Sequence, residues 1–267
     1  HARIVRLDIS KALQMEGVVA VLTADDVPSI PNLGNPILTN EPAYVGDPIL
    51  AIAAINEGVA EDALQAINFD FEPLPFVVDP LTSLRPGGPH ARTQGNVGNA
   101  TMQDDFRSIH WSNDEMASLI NGDLPQGESA REWIVGDLEA GFAAAAYTID
   151  ESFVTASYSH NSMEPRSALA YWENGKCFLY GSSQSQSFPV PALAGYIGIE
   201  PENLVFVAEF CGGGFGSKGG AYPAMSIPAH MSRLTGRPVM MRVSREQENY
   251  IGSARHGFQG RVKMGFR

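Results

Sequence analysis

The chain is predicted to be an α+β protein, and three observations carry that prediction. Short strand patterns alternate with one amphipathic helix over the first 80 residues, an Asn-Gly turn joins two apolar runs near the middle, and a later strand opens into a glycine-rich loop. With 267 residues, 44% hydrophobic and 18% charged, the chain can bury the core of one large globular unit or two modest ones.

The first unit, residues 1–80, reads as strand, strand, helix, strand. Residues 18–22 and 49–54 are apolar and β-branched enough for strands. Asn56 stands where it can cap a helix over 59–67, whose Val59, Ala63, Leu64 and Ile67 recur at helical spacing while Glu61 and Asp62 stay on the polar side. Residues 68–72 complete the unit as a strand.

Residues 81–136 turn polar and rich in Gly, Pro, Asn and Ser, with Pro86-Gly-Gly-Pro89 at the start and residues 122–127 (Gly-Asp-Leu-Pro-Gln-Gly) near the end. This pattern predicts an extended connector. Phe106, Ile109, Trp111 and Leu119 give it apolar anchors, so it is expected to wrap against its neighbours.

The second unit, residues 137–267, opens with Asp137 as N-cap of an Ala-rich helix through Ala146, followed by a strand over 148–156. Residues 168–172 and 177–180 then pair across Asn174-Gly175, the dipeptide that supplies both positive-φ positions of a type I′ turn. A helix over 190–197 leads to a strand over 204–210, and a second helix from Ser226 to Leu234 is stopped by Gly236 and Pro238.

That last strand runs into Cys211-Gly-Gly-Gly-Phe-Gly-Ser-Lys-Gly-Gly220, a loop whose backbone N–H groups can approach a bound group without side-chain bulk. It is not a Walker loop, because Ser217 precedes Lys218 and Gly219 follows it. Gly214, Gly216 and Gly219 match G-x-G-x-x-G formally, which keeps a nicotinamide- or flavin-binding oxidoreductase as an alternative. Pro223 and Pro228 weigh against it by delaying the helix such a loop must open.

The net charge of −12 hides an asymmetry: residues 231–267 carry +6 and the remainder −18. An acidic chain argues against nucleic-acid binding, and the basic segment suits one buried anion or an acidic partner, with Arg255 the residue of most interest. Two cysteines, Cys177 and Cys211, hold no C-x-x-C pattern and cannot ligate an iron–sulfur cluster alone. Cys177 is expected in the core of a strand. No apolar run is long enough to cross a bilayer, and no leader pattern opens the chain, although His1 leaves room for one already removed.

Three segments in order, His160-Asn-Ser-Met-Glu-Pro165, Gly181-Ser-Ser-Gln-Ser-Gln-Ser187 and Gly212-Gly-Gly-Phe-Gly-Ser-Lys218, resemble the molybdenum hydroxylases, the family of xanthine dehydrogenase and aldehyde oxidoreductase. Tyr44-Val-Gly-Asp-Pro48 and Phe71-Glu-Pro-Leu-Pro75 extend the resemblance to the family's small hammerhead domain. The resemblance implies a hammerhead-type α/β domain over 1–80 and the first part of a molybdenum-cofactor domain over 137–267. It implies a molybdopterin-type molybdenum cofactor, in simple or cytosine-dinucleotide form. Gln184 would donate to an oxygen on the metal, the backbone at Phe215 and Gly216 would face the metal's ligands, and Gly213, Gly214 and Arg255 would complete the cofactor contacts, with no direct protein ligand to the metal.

By the same resemblance, the enzyme hydroxylates carbon with oxygen from water. Gly219 stands where purine-oxidising members carry a Glu, which directs the expectation to an aldehyde or another N-heterocycle. Glu164 and His160 are expected to be structural, His160 with its ring hydrogen-bonded. The family's catalytic Glu is expected outside these residues, in the remaining portion of the molybdopterin subunit, so the polypeptide is expected to be inactive alone. Further expected partners are an iron–sulfur subunit with 2Fe–2S centres, a flavin (FAD) or cytochrome (haem) subunit, and a small-molecule substrate. The expected location is cytoplasmic, with the periplasmic face of a membrane complex as the alternative. A metal-free scaffold of the same fold is the non-enzymatic alternative.

Overall fold

The computed structural model describes residues 1–28, 36–98, 106–117 and 132–267. Leu119 and the turn-rich residues 122–127 of the connector lie outside them. In chain order the described elements are β1 (Ala2–Asp8), α1 (Ser10–Gln14), β2 (Val18–Thr23), β3 (Leu50–Ala54), α2 (Glu57–Gln65), β4 (Asn68–Pro73), α3 (Pro80–Leu84), β5 (Val97–Gly98), β6 (Phe106–Arg107) and α4 (Asn113–Ala117). They continue with α5 (Leu138–Ala143), β7 (Tyr147–Thr155), β8 (Ser167–Glu173), β9 (Lys176–Gly181), α6 (Val190–Ile197), β10 (Leu204–Val207), α7 (Ile227–Thr235), β11 (Val239–Arg242) and β12 (Phe258–Phe266).

The N-terminal elements form two antiparallel ribbons, β1 with β4 and β2 with β3. Helix α2 starts where Asn56 accepts a hydrogen bond from the Val59 amide at 3.0 Å, as the cap predicts. Ala63 and Ile67 are buried, but Leu64 is 45% exposed. One residue on from Ala63, it is turned about 100° away from the buried stripe.

The organising sheet has the order β10-β9-β8-β11. Asn174 and Gly175 take φ of 50° and 77°, the expected turn between β8 and β9. Helix α6 then crosses over so that β10 lies parallel to β9, with Leu204 opposite Cys177 and Val207 opposite Tyr180. Two expected elements are shorter than their sequence patterns. Strand β10 stops at Val207, leaving Phe210 exposed, and α5 stops at Ala143, because the Ala146 amide is already donated to the Phe266 carbonyl of β12.

One hydrophobic cluster holds the sheet to its helices: Ala168, Ala170, Cys177 and Leu179 pack against Leu193, Ala194, Ile197, Met225, Ala229 and Met231. Ala20, Leu22, Ile37, Leu38 and Ala53 belong to the same cluster, so β2 and β3 are welded to the later sheet. At about 1.5–3 kcal/mol for each large apolar side chain, this burial is the main stabilising term. Trp172 ties α7 to the sheet, its Nε1 donating to the Ala229 carbonyl at 2.9 Å under the Arg233 guanidinium.

Candidate functional site

Because β9 and β10 are parallel neighbours, the segments that follow them leave the same edge of the sheet. The segment after β9 carries Gln184, and the segment after β10 is the glycine loop. They are stitched together: the Gln184 amide donates to the Lys218 carbonyl at 2.9 Å, and the Gly216 amide donates to Gln184 Oε1 at 2.9 Å. The second bond orients the carboxamide, since an N–H can be met only by the oxygen end, and it leaves Nε2 of the exposed Gln184 available as a donor.

The loop conformation forbids side chains where they would interfere. A Cβ at Gly214 would lie 2.4 Å from Gln184 Oε1, and Gly216 has φ of 98°. Phe215 is itself left-handed, with φ of 51°, and its ring is 62% exposed. Its carbonyl accepts from Arg255 Nη2 at 2.8 Å, and Arg255 is held in turn by paired backbone bonds with Tyr158. The amides of Gly213, Gly214 and Phe215 donate to no group among the described residues.

Two ion pairs, each with a buried cation, support the loop from beneath. Lys218 is fully buried and donates to the Glu164 carboxylate at 2.8 Å and to the Glu164 carbonyl at 2.9 Å. Glu164 also accepts from the Gly212 amide at 2.7 Å. Partial burial opposes ionisation of Glu164, but these bonds outweigh it and hold the carboxyl below its usual range.

The second pair is Arg166 with Glu248, both buried. Arg166 further donates to the Ser217 carbonyl at 2.6 Å, to Ser217 Oγ and to the Ile251 carbonyl at 3.1 Å, and it stacks on the Tyr222 ring at 5.0 Å. Burial pushes the Tyr222 hydroxyl well above its ordinary pKa.

The structure thus brings Gln184, Gly213, Gly214, Phe215, Gly216 and Arg255 to one face. Sequence reading missed the supporting set: Arg166 and Glu248 were given no role, and Ser217 and Lys218 were noted only in the phosphate-loop test and as the end of the segment that carries the family resemblance. The available signals were Arg166 directly after Met-Glu-Pro and Glu248 as an acidic residue within a basic segment. His160 departs from expectation: its Nδ1 is buried with no hydrogen-bond partner. Cys177 is fully buried in β9, and burial raises its thiol to about 11. The dinucleotide alternative loses its geometric basis, since α7 begins only at Ile227 and Lys218 is sealed inside an ion pair.

Residues 121–267 match the molybdopterin cofactor-binding domain, and residues 1–75 match the a/b hammerhead domain of aldehyde oxidase and xanthine dehydrogenase. The chain is 29% identical over 275 residues to a probable xanthine dehydrogenase subunit of Bacillus subtilis, covering 99% of this chain and 32% of that protein. It is 28% identical over 276 residues to the nicotinate dehydrogenase large molybdopterin subunit of Eubacterium barkeri, covering 99% and 57%. Its fold superposes on the aldehyde oxidoreductase of Desulfovibrio gigas with a TM-score of 0.72 and 26% identity, covering 99% of this chain and 28% of that one. The CO dehydrogenase of Oligotropha carboxidovorans shares the fold with a TM-score of 0.74 at 23% identity, covering 99% and 32%. The chain therefore spans about a third of the length of most of these relatives. From its matched domains and its shared architecture, the chain belongs to the molybdopterin-binding subunits of the xanthine dehydrogenase and aldehyde oxidoreductase family.

Proposed function

We propose that this chain builds one wall of the cofactor site in an oxidoreductase that hydroxylates an aldehyde or N-heterocycle with oxygen derived from water. One observation carries the reading: the hydrogen bond from the Gly216 amide to Gln184 Oε1 ties an exposed carboxamide to the glycine loop by its oxygen and leaves Nε2 to donate, next to a loop whose Gly213, Gly214 and Phe215 amides donate to no group among the described residues. These uncommitted N–H donors, with no side chain among the loop amides except Phe215, suit an anionic, oxygen-rich ligand. His160 Nδ1, buried without a partner, adds an orphaned polar atom next to the same loop. The residues present therefore fit a molybdopterin-type cofactor, whose bound form supplies the two-electron redox chemistry that the side chains lack.

Within this site Gln184 Nε2 and the loop amides hold and orient the cofactor's oxygen groups, while Arg255 fixes Phe215 in its left-handed conformation. The exposed Phe215 ring forms an apolar wall that suits a planar substrate. Neither Glu164 nor Glu248 is free to act as a base, since each carboxylate is committed to a buried cation. The reading therefore takes the proton-abstracting Glu from elsewhere in the assembled enzyme and assigns no turnover to these residues alone. It also carries iron–sulfur and flavin or haem partners, and the pterin in either form. Relatives named as a large molybdopterin subunit and as the gamma subunit of a dehydrogenase complex support multi-subunit assembly.

The test is the molybdenum and pterin content of the native complex, by elemental mass spectrometry and pterin fluorescence. The reading requires near-stoichiometric molybdenum that falls in Gly214→Ala, and a metal-free intact complex would refute it.

A further inference from the structure

We propose that His90 and His110, in the stretch between the two matched domains, form a surface site for one borderline divalent cation such as Zn²⁺, Ni²⁺ or Cu²⁺. The Nε2 atoms of the two rings lie 3.4 Å apart, whereas the ring centroids are 5.4 Å apart and the planes differ by 17°. The rings therefore meet through their Nε2 edges and do not overlap face to face.

For bonds of about 2.0–2.1 Å from imidazole nitrogen to Zn²⁺, a 3.4 Å separation corresponds to an N–metal–N angle of about 110°. That is close to tetrahedral. The tautomer agrees as well: His110 Nδ1 lies 3.0 Å from the Arg85 carbonyl, which can only accept, so Nδ1 carries the proton and Nε2 keeps its lone pair. A backbone carbonyl on the far nitrogen is the usual outer partner of a metal-bound histidine.

Both histidines sit on pinned backbone. The Pro89 carbonyl accepts from Ser83 Oγ at 3.0 Å, so the residue before His90 is tied to α3. On either side of His110, Ile109 is held by the Asn96 carboxamide, which accepts from its amide at 2.8 Å and donates to its carbonyl at 2.7 Å, and the Trp111 amide donates to the Leu84 carbonyl at 2.7 Å. The Asn96 amide group also donates to the Ser83 carbonyl at 3.0 Å, closing the frame. A pair held this way loses little entropy on chelation.

No third His, Cys, Asp or Glu joins the pair among the described residues, so water fills the remaining positions. Two imidazoles and water favour Zn²⁺, Ni²⁺ or Cu²⁺ over Mg²⁺ or Ca²⁺, which prefer oxygen ligands. The simpler reading of the same geometry is an N–H···N hydrogen bond between neutral rings, and the experiment separates the two.

The untagged native complex is titrated calorimetrically with Zn²⁺ and, as a control, Mg²⁺. Cu²⁺ is added at one equivalent for electron paramagnetic resonance. One Zn²⁺ site per chain that is lost in His90→Ala and in His110→Ala, together with nitrogen couplings on Cu²⁺ that vanish in both, is the expected result. Circular dichroism confirms that each variant is folded. Absence of Zn²⁺ binding, or binding and couplings unchanged in folded variants, overturns the proposal.

Discussion

The Glu164 carboxylate receives the Lys218 ammonium at 2.8 Å and the Gly212 amide at 2.7 Å, so one side chain fastens both ends of the glycine loop. Lys218 has no exposed surface, and its only other acceptor among the described residues is the Glu164 carbonyl. Removing Glu164 therefore strands a buried cation. Glu164→Ala is expected to lower stability by about 3–5 kcal/mol, and Lys218→Met by less, because a methionine of similar length leaves no charge behind. The double variant should fall short of the sum of the two, read from urea unfolding midpoints in a double-mutant cycle.

The same carboxylate sets an acid limit. Partial burial raises its pKa, and the Lys218 and Gly212 hydrogen bonds lower it by more, so its folded value lies below the unfolded value of about 4.3. The stabilisation is therefore complete above the unfolded value and disappears as pH falls through the folded one. Urea midpoints should drop below about pH 4, and the part of that drop due to Glu164 should be absent in Glu164→Gln.

Two neighbouring glycines should respond differently to a methyl group. At Gly214 the added Cβ would meet Gln184 Oε1 at 2.4 Å, and Gln184 cannot retreat without losing the Gly216 amide. At Gly213 it would meet only the Phe215 ring at 2.9 Å, and that exposed ring can swing aside. Gly214→Ala is expected to cost about 1–3 kcal/mol and to deplete molybdenum in the native complex, while Gly213→Ala costs less. Elemental analysis beside thermal unfolding distinguishes the two.

The two thiols should label in sequence. Cys177 is fully buried, with burial raising its thiol to about 11, whereas Cys211 is partly exposed beside the loop. One thiol per chain should react with a disulfide reagent at pH 8 in the native protein, and two after denaturation.

Much of the fold was legible because its signals are local. Asn56, Asp137 and Asn174-Gly175 each act through hydrogen bonds or dihedral angles within four residues, and each does so in the structure. Strands β1, β11 and β12 were not anticipated. Strand β12 does alternate, with Phe258, Val262, Met264 and Phe266 on one face and Gln259, Arg261 and Lys263 on the other, a signal that was legible and passed over, whereas a bulge between Ile4 and Arg6 breaks the alternation in β1. At the candidate site, the glycines and Gln184 stood out because a ligand-facing loop needs unusual composition. Arg166 and Glu248, 82 residues apart, did not, because a buried ion pair leaves no periodic trace and exists only once the chain has folded.

The packing of Ala20, Leu22, Ile37, Leu38 and Ala53 into one cluster with Leu179 and Leu193 has a consequence for how such proteins can change over time. The ribbon of β2 and β3 supplies part of the very floor on which the sheet behind the glycine loop rests. Replacing the first 75 residues with a foreign counterpart would leave that floor with mismatched contours and tilt the loop above it. The two matched regions are therefore expected to be inherited as a pair, each carrying the imprint of the other's surface.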